Sequence, residues 1–265
     1  MGRQPSGNIL DIIKTVRQLG RQPLEETPAY VEALLNSDME LEGLMPWSSN
    51  YTFLVKLTHP ILTEQLLAIY KPNAGARPLW DFPSKTLHKR EFLSYLLSQL
   101  LGWPKIPATV LREGPHGEGS VQRFVEADYE AHYFTMRGDL AEVGLEFQQV
   151  ALFDLIANNA DRKAGHCLQG HDGQIWAIDH GLTFHAEFKL RTVIHEVGDA
   201  CIPDDLVQDL NHLHGLLLNS AEFTEILSQF ITPRELKALE QRVETLLQSK
   251  RFPRLSRYDM PYPPI

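Results

Sequence analysis

The chain has 265 residues, 43% hydrophobic and 22% charged, with 34 Asp and Glu against 25 Lys and Arg for a net charge of −9. That size and composition suit an ordinary globular protein with a proper core, and the acidic balance excludes a general nucleic-acid or anionic-membrane surface. Two cysteines, Cys167 and Cys201, make no disulfide framework, the first 20 residues lack the long apolar core of a secretory signal, and no run approaches the roughly 18 apolar residues that span a bilayer. The expectation is a cytoplasmic protein with no integral membrane segment and no nucleic-acid partner.

In chain order, Ile9, Ile12, Ile13, Val16 and Leu19 recur at helical spacing and stop at Gly20, which predicts a helix over 9–19. From Met39 the texture becomes strand-like. LEGLM and YTFLVKL flank the turn-forming Pro46-Trp47-Ser48-Ser49-Asn50, and QLLAIYK follows Pro60, giving three antiparallel strands of which the third ends at Lys71. After the irregular KPNAGARPLWDFPS, the stretch Thr86–Leu101 places Phe92, Leu93, Leu96, Leu97, Leu100 and Leu101 on one helical face and ends at Gly102, with Glu91 among its polar residues. ATVLREGPHGEGSVQRFVE then reads as a hairpin around a Gly-rich turn, with Phe124 to Glu126 leaving the sheet.

Beyond Ala127 the pattern is mainly helical. Leu140–Ala157 reads as one long amphipathic helix, followed by helices over Leu206–Leu218, Ala221–Phe230 and Pro233–Leu247, the last with Thr232 as N-cap. The tail RFPRLSRYDMPYPPI is proline-rich and extended. The predicted fold is α+β and bilobal. A helical extension covers 1–38, a β-rich lobe 39–127 and a helical lobe 128–265, with one hairpin inserted among the helices of the second lobe.

That hairpin carries the chemistry. NNADRKAGHCLQGHDGQIWAIDHG, residues 158–181, places Asp161 on a polar loop and Asp179 at the end of the apolar run Ile175–Ile178, ahead of His180 and Gly181. Two carboxylates so placed suit metal-assisted phosphoryl transfer. One accepts the proton of an attacking hydroxyl, and the other holds the Mg²⁺ that bridges nucleotide phosphates, with a glycine after it for a sharp backbone turn. A zinc site is not expected from His166, His171, His180, His185 and His195, which have no HExxH spacing, nor from Cys167, which has no CxxC partner. Lys189 and Arg191 read as a solvated loop, and Asp154 as a brace for Arg162.

LFDLIANNADRKAGHCL resembles the catalytic loop, WAIDHGLTF the metal-binding motif and AIYKP the lysine strand of the protein-kinase-like superfamily. Within it, the chain is most similar to the phosphatidylinositol 3-/4-kinase branch, particularly bacterial proteins related to type II phosphatidylinositol 4-kinases. The resemblance covers roughly residues 39–200 and implies a kinase fold binding ATP and Mg²⁺ (or Mn²⁺) in a cleft between lobes. By its terms Lys71 pairs with the α/β-phosphates and Glu91 holds Lys71, although Glu126 or Glu130 are alternatives to Glu91. Asp161 is the catalytic base, Arg162 shapes the loop and Asp179 binds the metal. The exit strand Gln122 to Glu126, with Phe124 and Val125, is the hinge that meets adenine, and Ser48, Ser49 and Asn50 cover the phosphates in place of a glycine-rich loop.

One position departs from the family. Its second metal ligand, an Asn, falls near position 166, where this chain has His166. Three readings follow: His166 coordinates a metal such as Mn²⁺, it hydrogen-bonds phosphate, or the second metal position is lost. The expected function is transfer of the ATP γ-phosphate to a hydroxyl of a protein, small-molecule or lipid acceptor. The alternative is a pseudokinase acting as a nucleotide-binding regulatory or interaction module.

Overall fold

The structure, a computed structural model, describes residues 8–22, 28–46, 51–58, 65–75, 79, 81–83, 85–137 and 144–265. The turn expected to cover the phosphates, Ser48, Ser49 and Asn50, lies outside the described residues.

Helices α1 (Ile9–Leu19) and α2 (Pro28–Asn36) precede strands β1 (Asp38–Leu44), β2 (Phe53–Thr58) and β3 (Leu66–Pro72). Helix α3 (Leu87–Leu101) follows, then β4 (Thr109–Gly114) and β5 (Gly117–Arg123). The five strands form one antiparallel sheet in the order β1-β2-β3-β5-β4. Strand alternation divides its side chains between two faces. Cross-strand partners Val55 and Ala68, and Tyr70 and Val121, are fully buried on one face. On that face the Arg123 guanidinium lies 5.5 Å from the Tyr30 ring of α2, so α2 covers it. Ile69 and Lys71, partnered by Gln122 and Ser120, point to the other face, toward α3.

Helix α3 is far from the one-faced helix that its leucine pattern predicts. His88, Arg90, Glu91, Ser94, Ser98 and Gln99 are buried along with its apolar residues. It is enclosed by the sheet on one side, by α1 on another and by the helical lobe on a third. Gly102 ends it at φ 80°, a left-handed conformation that a β-carbon disfavours.

The remaining elements are β6 (Ala127–His132), α4 (Tyr133–Met136), α5 (Leu145–Ala157), β7 (Cys167–Gly170), β8 (Ile175–Ala177), α6 (Asp204–Asn219), α7 (Ala221–Leu227) and α8 (Pro233–Ser249). Strands β6, β7 and β8 form a second, three-stranded sheet. Helix α5 begins at Leu145, and residues 140–143 of the expected helix lie outside the described residues; its second half is core rather than amphipathic. Val150 through Ala157 are buried without interruption, Asp154 included. Helix α7 stops at Leu227, three residues short of the expected Phe230. Strand β6 and helices α2 and α4 had no clear periodic signal. Helix α8 begins with a capping box in which Thr232 and Glu235 satisfy each other's backbone N–H groups.

The architecture is α+β and two-lobed: an antiparallel sheet with α3 behind it, joined through residues 124–126 to a helical part carrying the β7–β8 hairpin. A buried ion pair joins the two parts, Arg90 Nη2 of α3 to Glu235 Oε1 of α8 at 2.6 Å. Arg90 also donates to the Thr183 carbonyl at 2.5 Å, so α3 is tied to the segment that follows Asp179.

Candidate active site

Three distant stretches of chain meet at one cluster. Lys71 Nζ, near the end of β3, lies 2.5 Å from Glu91 Oε1 on α3 and 2.9 Å from Asp179 Oδ1 after β8. Glu91 is only 3% exposed, and its second oxygen accepts the His180 backbone N–H at 3.0 Å. One carboxylate thus fixes both the lysine and the turn that carries Asp179. Glu126 instead faces His171 at 3.8 Å at the surface, and Glu130 is on β6. Burial works against the Lys71 ammonium, but Asp179 and Glu91 outweigh it and raise its pKa. Burial likewise favours a neutral Asp179, yet Lys71 and then His166 hold its carboxyl well below the usual carboxylate range.

The backbone turn differs from the expectation in one respect. The left-handed residue is Asp179 itself, at φ 58°, while Gly181 has no positive φ. Space does not require Gly181 either, because a Cβ there would sit 3.4 Å from Glu91 Oε1 and 3.7 Å from Leu87 Cβ, ordinary contact distances. Aspartate tolerates the left-handed region better than most residues.

Asp161 follows α5 on the loop held by Arg162. The Arg162 guanidinium is fully buried and its donors are saturated. Nε and Nη2 reach the two oxygens of Asp154 at 2.9 and 3.0 Å, Nη1 reaches the carbonyls of His166 and Ile178 at 3.1 and 2.8 Å, and Nη2 meets His180 Nε2 at 2.7 Å. A guanidinium only donates, so His180 accepts through Nε2, with its ring edge-on to Phe153. Arg162 therefore locks the Asp161 loop, the His166 turn and the strand entering Asp179 into one unit. Asn159 adds to it, accepting the Asp161 N–H at 3.0 Å and donating to Asp154 at 2.9 Å. The Asp161 carboxyl is pushed up to about 6, first by burial and further by Asp179, against the pull of Lys163 3.7 Å away.

His166 stands beside the pair. Its Nε2 is 3.4 Å from Asp179 Oδ2 and its Nδ1 is 2.9 Å from the Asp161 carbonyl oxygen. Burial lowers its pKa to about 4, with Arg162, Lys71 and Lys163 adding to the effect and Asp179 opposing it, so the imidazole is neutral at pH 7. Among the described residues no three His, Cys, Asp or Glu side chains converge on a metal position. Asp179 and His166 fit a divalent ion only where phosphate oxygens complete its shell. Burial raises the Cys167 thiol to about 12, so it is an inert core residue.

The polar residues before Asp161 pack well. Asn158 caps α5 at φ 52° and uses its side chain on the carbonyls of His185 and Glu187 and the N–H of Lys189, at 2.9, 2.6 and 2.8 Å. It shapes the segment after Asp179. Lys189 is not solvated as expected: its side chain is 17% exposed and pairs with Asp81 at 3.0 Å. Arg191 is exposed. Asp154, His180, Arg90 and Glu235 complete the site's scaffold. A charged or polar residue inside an otherwise apolar helix, as Asp154 is in α5, is the sequence signal that marks such a buried partner.

In the expected hinge, the Phe124 N–H is taken by the Leu67 carbonyl and the Glu126 carbonyl by the His171 N–H. Between them, Val125 makes no backbone hydrogen bond among the described residues. Gln122 turns its amide onto Thr109 at 2.8 Å. Phe124, Val125 and Glu126 border a cavity of about 450 Å³ together with Leu67, Arg123 and Trp176. That cavity contains none of Lys71, Glu91, Asp161 or Asp179, and its Arg123 lies on the sheet face opposite Lys71, so it is separate from the charged cluster.

No protein-family model matches the sequence. Protein Rv2133c of Mycobacterium tuberculosis is 34% identical over 252 residues, 83% of this chain and 89% of that protein. Among solved structures, the Helicobacter pylori proinflammatory kinase CtkA matches 82% of this chain and 94% of its own at 11% identity and a TM-score of 0.46.

Proposed function

The chain belongs to the family of Protein Rv2133c of Mycobacterium tuberculosis, and from the site its residues build we propose that it is an ATP-dependent kinase of the phosphatidylinositol 3-/4-kinase-like kind. One observation carries the reading. A lysine from the sheet, a glutamate from the helix behind it and an aspartate from the hairpin meet within 2.5 and 2.9 Å, with a second aspartate on the adjoining loop. Structural ion pairs are common, but a partly exposed Asp161 whose carboxyl is raised by burial is an arrangement that stability alone does not favour.

The chemistry needs positioning and charge neutralisation, not a covalent intermediate. Lys71, held by Glu91, meets the α/β-phosphate oxygens, and the free N–H and C=O of Val125 meet the adenine edge. Asp161 accepts the proton of the acceptor hydroxyl as that oxygen forms a bond to the γ-phosphorus. The bond from the γ-phosphorus to the bridging oxygen breaks, and its electron pair leaves with ADP. Lys163, 3.7 Å from Asp161, is placed to steady negative charge on the transferring group. Asp179 and His166 would hold the divalent ion, which when bound offsets phosphate charge.

The test follows γ-labelled ATP into protein, lipid and metabolite fractions while nucleotide binding is read by thermal shift. Asp161→Asn should abolish transfer and spare binding, and Lys71→Met should weaken both. Parental rates in both variants would retire the assignment.

A further inference from the structure

The two oxygens of Asp179 have neighbours of different kinds. Oδ1 faces the Lys71 ammonium at 2.9 Å, and Oδ2 faces an imidazole nitrogen, His166 Nε2, at 3.4 Å. The tautomer of that ring follows from its other end. Nδ1 lies 2.9 Å from the Asp161 carbonyl oxygen, which can only accept, so Nδ1 carries the hydrogen. The competing arrangement, in which Nδ1 accepts the Lys163 N–H, is 3.4 Å long and outside the usual hydrogen-bond range. In the neutral ring Nε2 then presents a lone pair to a carboxylate oxygen, and two such acceptors repel unless a proton or a metal cation lies between them.

The arrangement is built in rather than incidental. The His166 carbonyl accepts both the Ile178 N–H at 3.0 Å and Arg162 Nη1 at 3.1 Å, while Arg162 also holds the Ile178 carbonyl at 2.8 Å. The backbones on either side of the His166–Asp179 gap are thus tied to each other and to a fully buried guanidinium. The imidazole and the carboxylate are fixed before any ion arrives, which is what the shell around a metal ligand normally provides.

We infer that the nucleotide-borne cation of this site is ligated by His166 Nε2 together with Asp179 Oδ2, with triphosphate oxygens as the remaining ligands, and that the site selects a first-row transition ion such as Mn²⁺ over Mg²⁺. The inference rests on the ATP-dependent reading above. Magnesium takes hard oxygen ligands and parts with water reluctantly, whereas an imidazole nitrogen is a good ligand for transition ions. With only two protein ligands, the ion enters with nucleotide and binds weakly without it.

The experiment uses the full chain with Mn²⁺ and the β,γ-methylene analogue of ATP, which brings no nitrogen to the phosphates. Pulsed electron paramagnetic resonance should show the ¹⁴N coupling of a coordinated imidazole, and His166→Asn should remove it. In parallel titrations the wild-type protein should bind the analogue more tightly with Mn²⁺ than with Mg²⁺, by on the order of tenfold, and the preference should shrink in the variant. Analogue bound with Mn²⁺ but without nitrogen coupling, or with no ion preference in the wild type, overturns the inference and leaves the kinase reading in place. Failure of the analogue to bind with either ion overturns the kinase reading, and the inference falls with it.

Discussion

Asp161→Asn should make the protein more stable as well as inactive, and the gain should depend on pH. Burial raises the Asp161 carboxyl from an ordinary 3.8 to about 6, with Asp179 adding to the rise. Two pKa units correspond to about 3 kcal/mol of penalty for keeping the group ionised in the folded state. The side chain is 31% exposed and Lys163 is near, so screening by solvent reduces the expected gain to about 1–2 kcal/mol. The sign follows from proton linkage. The folded protein binds this proton more tightly than the unfolded chain, so the penalty is complete above about pH 6 and fades as pH falls toward the unfolded value near 4. Urea unfolding of parent and variant at about pH 7.5 and about pH 4.5 measures it. A variant no more stable than the parent at the higher pH, or a gain unchanged at the lower one, refutes desolvation as the cause of the raised value.

The same carboxyl should govern the acidic limb of the rate profile. With Asp161 as base, kcat/KM should fall about tenfold per unit below about pH 6, and a flat profile from about pH 5 to 8 would remove it from that role. Arg162→Ala should cost about 3–5 kcal/mol, because it leaves the fully buried Asp154 carboxylate without its cation and frees the carbonyls of His166 and Ile178. Urea midpoints would register the loss, and Arg162→Lys should recover little of it, since an ammonium cannot reproduce the forked donation.

Much of the fold was legible because the relevant signals are local. Strands 53–58, 66–72, 109–114 and 117–123 and helices α1, α3, α6 and α8 show their periods within a few residues. Thr232 and Gly102 mark helix ends by chemistry that needs no distant partner. Where the reading slipped, tertiary surroundings had altered the local signal. The second half of helix α5 is buried all round, so its amphipathic appearance misled, and Lys189 is drawn out of solvent by Asp81, more than 100 residues earlier. Strand β6 and α2 pair or pack with segments that their own sequences do not announce.

The linear order of residues by itself determined the fold class, the lysine strand, and the two aspartates at the ends of a hairpin, because backbone period and turn chemistry are short-range. Only the tertiary structure decided which glutamate holds Lys71, that Asn158 and Asn159 brace loops, that Asp179 rather than Gly181 takes the left-handed turn, and that His166 sets its Nε2 beside Asp179. These depend on which groups are buried together and on the hydrogen bonds that burial then obliges them to make, and neither is written in residue spacing.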